Sequence, residues 1–237
     1  MKRNHKSKVI NNIKIAKGTY KLSIQSDIEK VKAGQFLSIL CNNKTLRRPF
    51  SISGYENGII EILYKLKGEG TEFITNLKPD DDIEFLAPLG NGFDVKNVQN
   101  ALLIGAGIGI APVLFLKKVL SEKNIKNYLI TGFKSEQEKI EGSDKTIIGG
   151  SVLDNIDELI NEIKPDMIYS CGPSIVLKKI SDTGIKHKIK TQIAMEKVMA
   201  CSIGVCRGCT IELKDGTNKT VCKDGPVFMG DEILWRI

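Results

Sequence analysis

The chain has 237 residues, 41% of them hydrophobic and 27% charged, the proportions of an ordinary folded protein. That length allows one large domain, or two small ones with an added module. Its net charge of +7 comes from lysines spread along the chain, with no nucleic-acid-binding motif, so nucleic acid is not an expected partner.

The N-terminal run MKRNHKSKVINN is basic but lacks the apolar core of a signal peptide. The apolar stretch Ala101–Leu116 is shorter than the ~20 residues needed to span a bilayer and contains glycines and a proline. A cytoplasmic protein with no membrane contact is expected. Disulfides are not, and the six cysteines point instead to a metal site.

Residues 1–98 read as β-rich. Short alternating runs at Tyr20–Gln25, Gln35–Cys41, Phe50–Gly54, Ile59–Leu66 and Asp82–Ala87 are separated by Gly, Asn, Asp and Pro turns. About six strands at this spacing predict an antiparallel barrel. One short helix is expected from Thr71. Arg47 to Ser51 carry a guanidinium fork suited to a diphosphate. Leu63, Tyr64 and Lys65 lie on the next strand, and Gly70 with Thr71 opens a helix whose free N–H groups suit a phosphate. Each signal alone also fits a turn or a cap. In this order they predict a flavin site.

Residues 99–190 change pattern. Strands are expected at Ala101–Gly105, Tyr128–Gly132 and Met167–Cys171, and helices through Pro112–Leu120, over Ser151–Ile163 and after Gly172-Pro173. Alternation of this kind predicts a parallel sheet with helices on both faces. The turn Gly105-Ala106-Gly107-Ile108-Gly109-Ile110-Ala111-Pro112 offers the close backbone approach a dinucleotide pyrophosphate needs, although such a turn can also be purely structural. Cys171, Gly172 and Pro173 end a later strand, where parallel-sheet ligands bind. Cys171 could touch a nicotinamide or simply pack. Lys134, Ser135 and Glu136 give mixed signals between NAD and NADP.

Residues 191–237 read as a small module too short for a core of its own. Cys201, Cys206, Cys209 and Cys222 are spaced C-x4-C-x2-C-x12-C, the plant-type 2Fe-2S pattern, with a tight loop giving three thiolates and a more distant strand the fourth. A four-thiolate zinc site is the alternative, but it commonly uses two close cysteine pairs, and Cys222 has no close cysteine neighbour. His5 and His187, in lysine-rich stretches, are expected at the surface. Cys41 reads as a packing residue, and Lys178–Lys190 as a solvated face.

The RPFS (48–51), GEGT (68–71), GAGIGIAP (105–112) and CGP (171–173) segments together resemble the ferredoxin–NAD(P) reductase superfamily. With MACSIGVCRGC (199–209) and VCKDGPVF (221–228), the whole chain resembles the electron-transfer subunits of NAD-linked (class 1B) dihydroorotate dehydrogenases. The resemblance implies FAD at Arg48, Pro49, Phe50 and Ser51, at Leu63, Tyr64 and Lys65, and at Gly70 and Thr71. It implies NAD at Gly105, Gly107, Gly109, Pro112, Cys171, Gly172 and Pro173, and a 2Fe-2S cluster on the four cysteines. It further implies an FMN-containing catalytic partner, a heterotetramer, and electron flow from dihydroorotate to NAD+. The reductase subunit of another NAD(P)H-linked complex, of ferredoxin or sulfide oxidoreductase type, is the rival reading. A zinc-stapled binding module is a more distant one. Ser202 and Arg207 depart from the family's usual CGIGAC loop.

Overall fold

The computed structural model describes residues 4–41 and 44–236. The basic start, Met1–Arg3, lies outside the described residues. Six antiparallel strands close into a barrel: β1 (Asn4–Ala16), β2 (Thr19–Gln25), β3 (Phe36–Ile39), β4 (Arg48–Glu56), β5 (Ile59–Lys65) and β6 (Asp82–Leu89), in the order β1-β2-β5-β4-β3-β6. Between β5 and β6 stands α1 (Glu69–Thr75). It starts two residues before the expected Thr71, whose hydroxyl accepts the N–H groups of Lys67 and Gly68 and so stabilises the turn.

β1 closes the barrel by pairing with both β2 and β6. The sequence reading missed it because NHKSKVINNIKIA presents mostly exposed or half-exposed residues, with only His5 and Val9 buried. His5 is a correction: it is 6% exposed rather than on the surface. Its ring stacks on Phe85, with Nδ1 2.8 Å from Asp27 Oδ1 and Nε2 3.1 Å from the Ala87 carbonyl. His187 is likewise half-buried, against Asp157.

The second half is built on a sheet ordered β14-β11-β10-β7-β8-β9. Its strands are β7 (Asn100–Ala106), β8 (Lys126–Phe133), β9 (Lys145–Ile148), β10 (Met167–Cys171), β11 (Lys190–Ala194) and the antiparallel edge strand β14 (Val227–Met229). Alternate residues of β7 serve opposite faces, as the pleat requires. Ala101 and Leu103 join a core shared with α2 (Ile110–Glu122) and the barrel. Leu102 and Ile104 join a second core with α3 (Ile156–Ile163) and α4 (Ser174–His187).

α3 is shorter than the expected Ser151–Ile163 because Asn155 takes a left-handed conformation and Ser151–Asp154 form a turn. Pro173 stands at the N-cap of α4. The expected boundary at 190/191 falls within β11. The C-terminal segment also contributes β14 and a small hairpin, β12 (Thr210–Glu212) with β13 (Asn218–Thr220). Cys209, Val221, Cys222 and Phe228 pack into the second core beside Leu102 and Ile104.

Candidate functional site

Strand order reverses between β7 and β10, with β8 and β9 on one side and β11 on the other. The carboxyl ends of strands at such a switch point form a crevice. Here the barrel covers that crevice and encloses a cleft of about 840 Å³.

Its barrel wall carries Pro49, Phe50 and Ser51 of β4, Leu63, Tyr64 and Lys65 of β5, and Thr71. Tyr64 is held rigidly. Its hydroxyl donates to Asn12 Oδ1 at 3.0 Å, its ring stacks on Tyr20 at 5.6 Å, and Phe50 meets it edge-on at 5.9 Å. Arg48 and Gly70 lie beside these wall residues but not on the wall. They touch each other: a Cβ on Gly70 would stand 2.9 Å from Arg48 Nε, while the guanidinium donates to the Leu46 carbonyl. Arg47 is engaged elsewhere, paired with Glu84 at 2.5 Å.

On the sheet side, Gly107 and Gly109 line the cleft together with Cys171, Gly172 and Pro173. A Cβ on Gly109 would lie 2.3 Å from the Cys171 carbonyl oxygen, so the two turns are in backbone contact. Gly107 holds φ +56, a left-handed conformation that suits glycine. Gly105 and Pro112 are not on the wall. Gly105 lies under the turn, where a Cβ would reach Ile110 at 2.9 Å, and Pro112 is buried in the first turn of α2. Burial, with Glu196 nearby, pushes the Cys171 thiol up to about 12.

Several lining residues escaped the sequence reading. Phe36, Lys67 and Glu138 come from otherwise ordinary turns and strands, while Met195, Glu196, Met199 and Pro226 come from the C-terminal segment. Met199 and Pro226 fall inside the cysteine-bearing motifs, but no local pattern aims any of these residues at the cleft; the tertiary fold brings them in. Lys65 and Glu138 pair at 2.7 Å across the cleft, and this lowers the Glu138 carboxyl below the usual carboxylate range. Four lysines (65, 67, 134, 197) against two glutamates (138, 196) leave the walls net positive, as a polyanionic ligand requires.

The four cysteines lie just past the cleft. Met199 is on its wall two residues before Cys201, and Pro226 is on it four residues after Cys222. The loop turns through left-handed residues at Ser202, Gly204 and Arg207. Its N–H groups point at sulfur: Gly204 to Cys222 Sγ at 3.0 Å, Cys206 to Cys201 Sγ at 3.4 Å, Gly208 to Cys206 Sγ at 3.5 Å, and Cys222 to Cys209 Sγ at 3.4 Å. Such donors suit thiolates and the sulfurs of an iron–sulfur centre. Burial opposes ionisation of Cys201, but the N–H groups of Cys206, Ile203 and Val205 prevail and hold its thiol down to about 6. Burial and the adjacent Cys209 sulfur push Cys222 up to about 12.

Cys222 lies in a turn just after β13 rather than on a strand, and that turn is tied by Thr220 donating to Asp224. Among the described residues no three or more His, Cys, Asp or Glu side chains are drawn together as a metal-binding group. The fit to a cluster therefore rests on the four-sulfur donor set and its N–H network. No helix among the described residues is long and apolar enough to cross a membrane.

Comparison with known proteins agrees with this geometry. Residues 196–234 match the family model described as the iron-sulfur cluster binding domain of dihydroorotate dehydrogenase B. The chain is 36% identical to the "Dihydroorotate dehydrogenase B (NAD(+)), electron transfer subunit" of Caldanaerobacter subterraneus subsp. tengcongensis, with 97% of this chain and 98% of that protein covered. It is 37% identical to the protein of the same description from Clostridium acetobutylicum, with 96% of each covered. Among solved structures, an NADH-dependent reduced ferredoxin–NADP oxidoreductase matches at 25% identity and a TM-score of 0.84, covering 97% of this chain and 90% of that one. Phthalate dioxygenase reductase shares the fold at 19% identity and a TM-score of 0.69, covering 91% of this chain and 75% of that one. With relatives this similar across nearly its whole length, the chain belongs to the family of dihydroorotate dehydrogenase B (NAD+) electron transfer subunits.

Proposed function

We propose that this chain passes electrons between a dihydroorotate-oxidising catalytic subunit and NAD+, in pyrimidine biosynthesis. The observation that carries the proposal is the shared wall. One cleft joins the barrel to the sheet's switch point, and its lining includes Met199 and Pro226, which flank the four-cysteine segment. When bound, FAD exchanges electron pairs with the nicotinamide and single electrons with a 2Fe-2S centre.

The chain's own residues bind and orient. Phe50 and Tyr64 give the barrel wall a fixed aromatic surface for the flavin, with Pro49, Ser51, Leu63, Lys65 and Thr71 around it. Arg48, packed beside Gly70 and bonded to the Leu46 carbonyl, offers the rest of its guanidinium to the diphosphate. Gly107 and Gly109 let the dinucleotide backbone approach, while Gly105 and Pro112 support that turn from behind. Cys171, Gly172 and Pro173 form the wall beside the nicotinamide, where burial favours the neutral form of the Cys171 thiol. The lysines offset the phosphates. Cys201, Cys206, Cys209 and Cys222 hold the cluster, with N–H groups turned to their sulfurs.

We take the catalytic partner to be an FMN protein, the assembly to be a heterotetramer with two of each subunit, and its place to be the cytoplasm. No part of this cleft supplies an orotate site of its own in this reading. The test is co-expression with the catalytic subunit, followed by an assay of NADH formation from dihydroorotate and NAD+. Formation of NADH by the complex, with neither subunit doing so alone, is expected. A complex that forms, carries flavin and cluster, and yields no NADH would refute the assignment of this client.

A further inference from the structure

Two barrel side chains reach the cysteine loop, one at each end. Ser38 of β3 is 0% exposed, and its Oγ lies 3.0 Å from the Oγ of Ser202, itself 1% exposed. Ser202 directly follows Cys201 and holds φ +60, a conformation that non-glycine residues adopt sparingly. A buried hydroxyl left without its partner is costly, so this pair discriminates strongly against any displaced loop. At the other end, Asn91 donates its side-chain amide to the Asp224 carbonyl at 2.7 Å and its backbone N–H to the Gly225 carbonyl at 2.6 Å. Asp224 is two residues past Cys222. The preceding Gly90 has φ +69, and a Cβ there would stand 2.5 Å from Pro226 Cδ, while Gln35 Nε2 ties the Gly90 carbonyl back to the barrel at 2.9 Å.

The same elements also wall the cleft. Phe36 lies on it and is two residues from Ser38 along β3, so both side chains share one face of one strand. Pro226 lies on it and is bonded in sequence to Gly225, which Asn91 holds. A single strand and a single turn therefore connect the cleft to the loop at its first and its last cysteine.

We propose that Ser38 and Asn91 are positioning residues that anchor the four-cysteine loop to the barrel and set the separation between the flavin cleft and the cysteines. The inference rests on the relay reading above. Electron tunnelling falls steeply with distance, so a loop free to drift would slow transfer between flavin and cluster without altering the step between nicotinamide and flavin.

The experiment compares wild type, Ser38→Ala, Asn91→Ala and Ser202→Gly, each loaded with flavin and cluster. Amide hydrogen exchange reads the loop, and rapid anaerobic mixing with NADH reads flavin bleaching and cluster reduction separately. Loss of the Ser38 anchor should speed exchange over 202–206 by about tenfold, as expected for losing one buried hydrogen bond, and loss of the exposed Asn91 anchor should speed exchange over 223–225 by about twofold or more. Cluster reduction should slow severalfold while flavin bleaching stays at the wild-type rate. Ser202→Gly relieves the left-handed backbone but removes the hydroxyl, so the same slowing there assigns the effect to the bond. Asn91 is exposed, so its variant keeps the proposal testable if Ser38→Ala fails to fold. Unchanged exchange and unchanged cluster reduction in Asn91→Ala and Ser202→Gly would overturn it. A wild-type cluster that NADH cannot reduce would refute the relay reading instead, and the exchange data would still decide the anchoring.

Discussion

The α-carbon of Gly109 sits so close to Cys171 that an added Cβ would be 2.3 Å from its carbonyl oxygen. This contact holds the turn after β7 against the end of β10, where the sheet order reverses, and it keeps the switch-point crevice narrow. Gly109→Ala must push the two turns apart, at a cost of about 1–3 kcal/mol of stability. Its expected signature is weakened NADH binding with flavin content retained, measured by titration of the flavin-loaded protein. Equal affinity in the variant would show that the contact does not shape the nucleotide site.

Tyr64 couples the cleft to the barrel core through its hydroxyl bond to Asn12. Asn12 in turn donates to the carbonyls of Ile74 and Leu77 at the end of α1. Tyr64→Phe removes a buried bond and should lower stability by about 1 kcal/mol, leaving the ring in place for the flavin. Tyr64→Ala should cost about 3–5 kcal/mol and release flavin as well. Denaturant midpoints and bound-flavin content distinguish the two.

The Lys65–Glu138 pair predicts a pH dependence. Because the Lys65 hydrogen bond holds the Glu138 carboxyl below its unfolded value, its contribution is fully present above the unfolded value of about 4.3 and is lost as pH falls through the lower folded value. Both side chains are partly exposed, which limits the effect to about 1 kcal/mol or less. Glu138→Gln should unfold more readily than wild type at pH 7 and equally readily in strong acid. Parallel urea curves at both pH values would contradict this.

The cysteines differ in setting. Cys209 and Cys222 are buried in the second core, whereas Cys206 is exposed. Serine at any of the four should abolish cluster incorporation with flavin retained, read as iron and sulfide content. Only Cys209→Ser and Cys222→Ser should also destabilise the cluster-free chain, because they place a hydroxyl in an apolar core.

Local chemistry made much of this readable from residues alone. Gly107, Gly109, the Cys171–Pro173 turn and the cysteine spacing are short-range patterns whose reasons are steric or coordinative, and the structure sets the turns side by side on one cleft. β1 was hidden because only His5 and Val9 of this barrel strand are buried, so apolar alternation is absent and its lysines and asparagines look like a tail. Gly105 and Pro112 carry the right motif yet support the turn from within, a distinction that depends on side-chain burial rather than spacing. The reach of Pro226 and Met199 into the cleft follows from β14 joining the central sheet, a pairing between distant segments that no local pattern encodes.

The central claim is that nicotinamide, flavin and cysteine-bound cluster form one continuous path in this chain. Anaerobic titration of the loaded protein with NADH, followed by visible absorbance and electron paramagnetic resonance, tests it most directly. The account predicts bleaching of the flavin band together with the signal of a reduced 2Fe-2S centre, and loss of that signal but not of the bleaching in Cys222→Ser. A flavin that bleaches while an intact cluster stays oxidised, or a preparation holding zinc in place of iron, would contradict it.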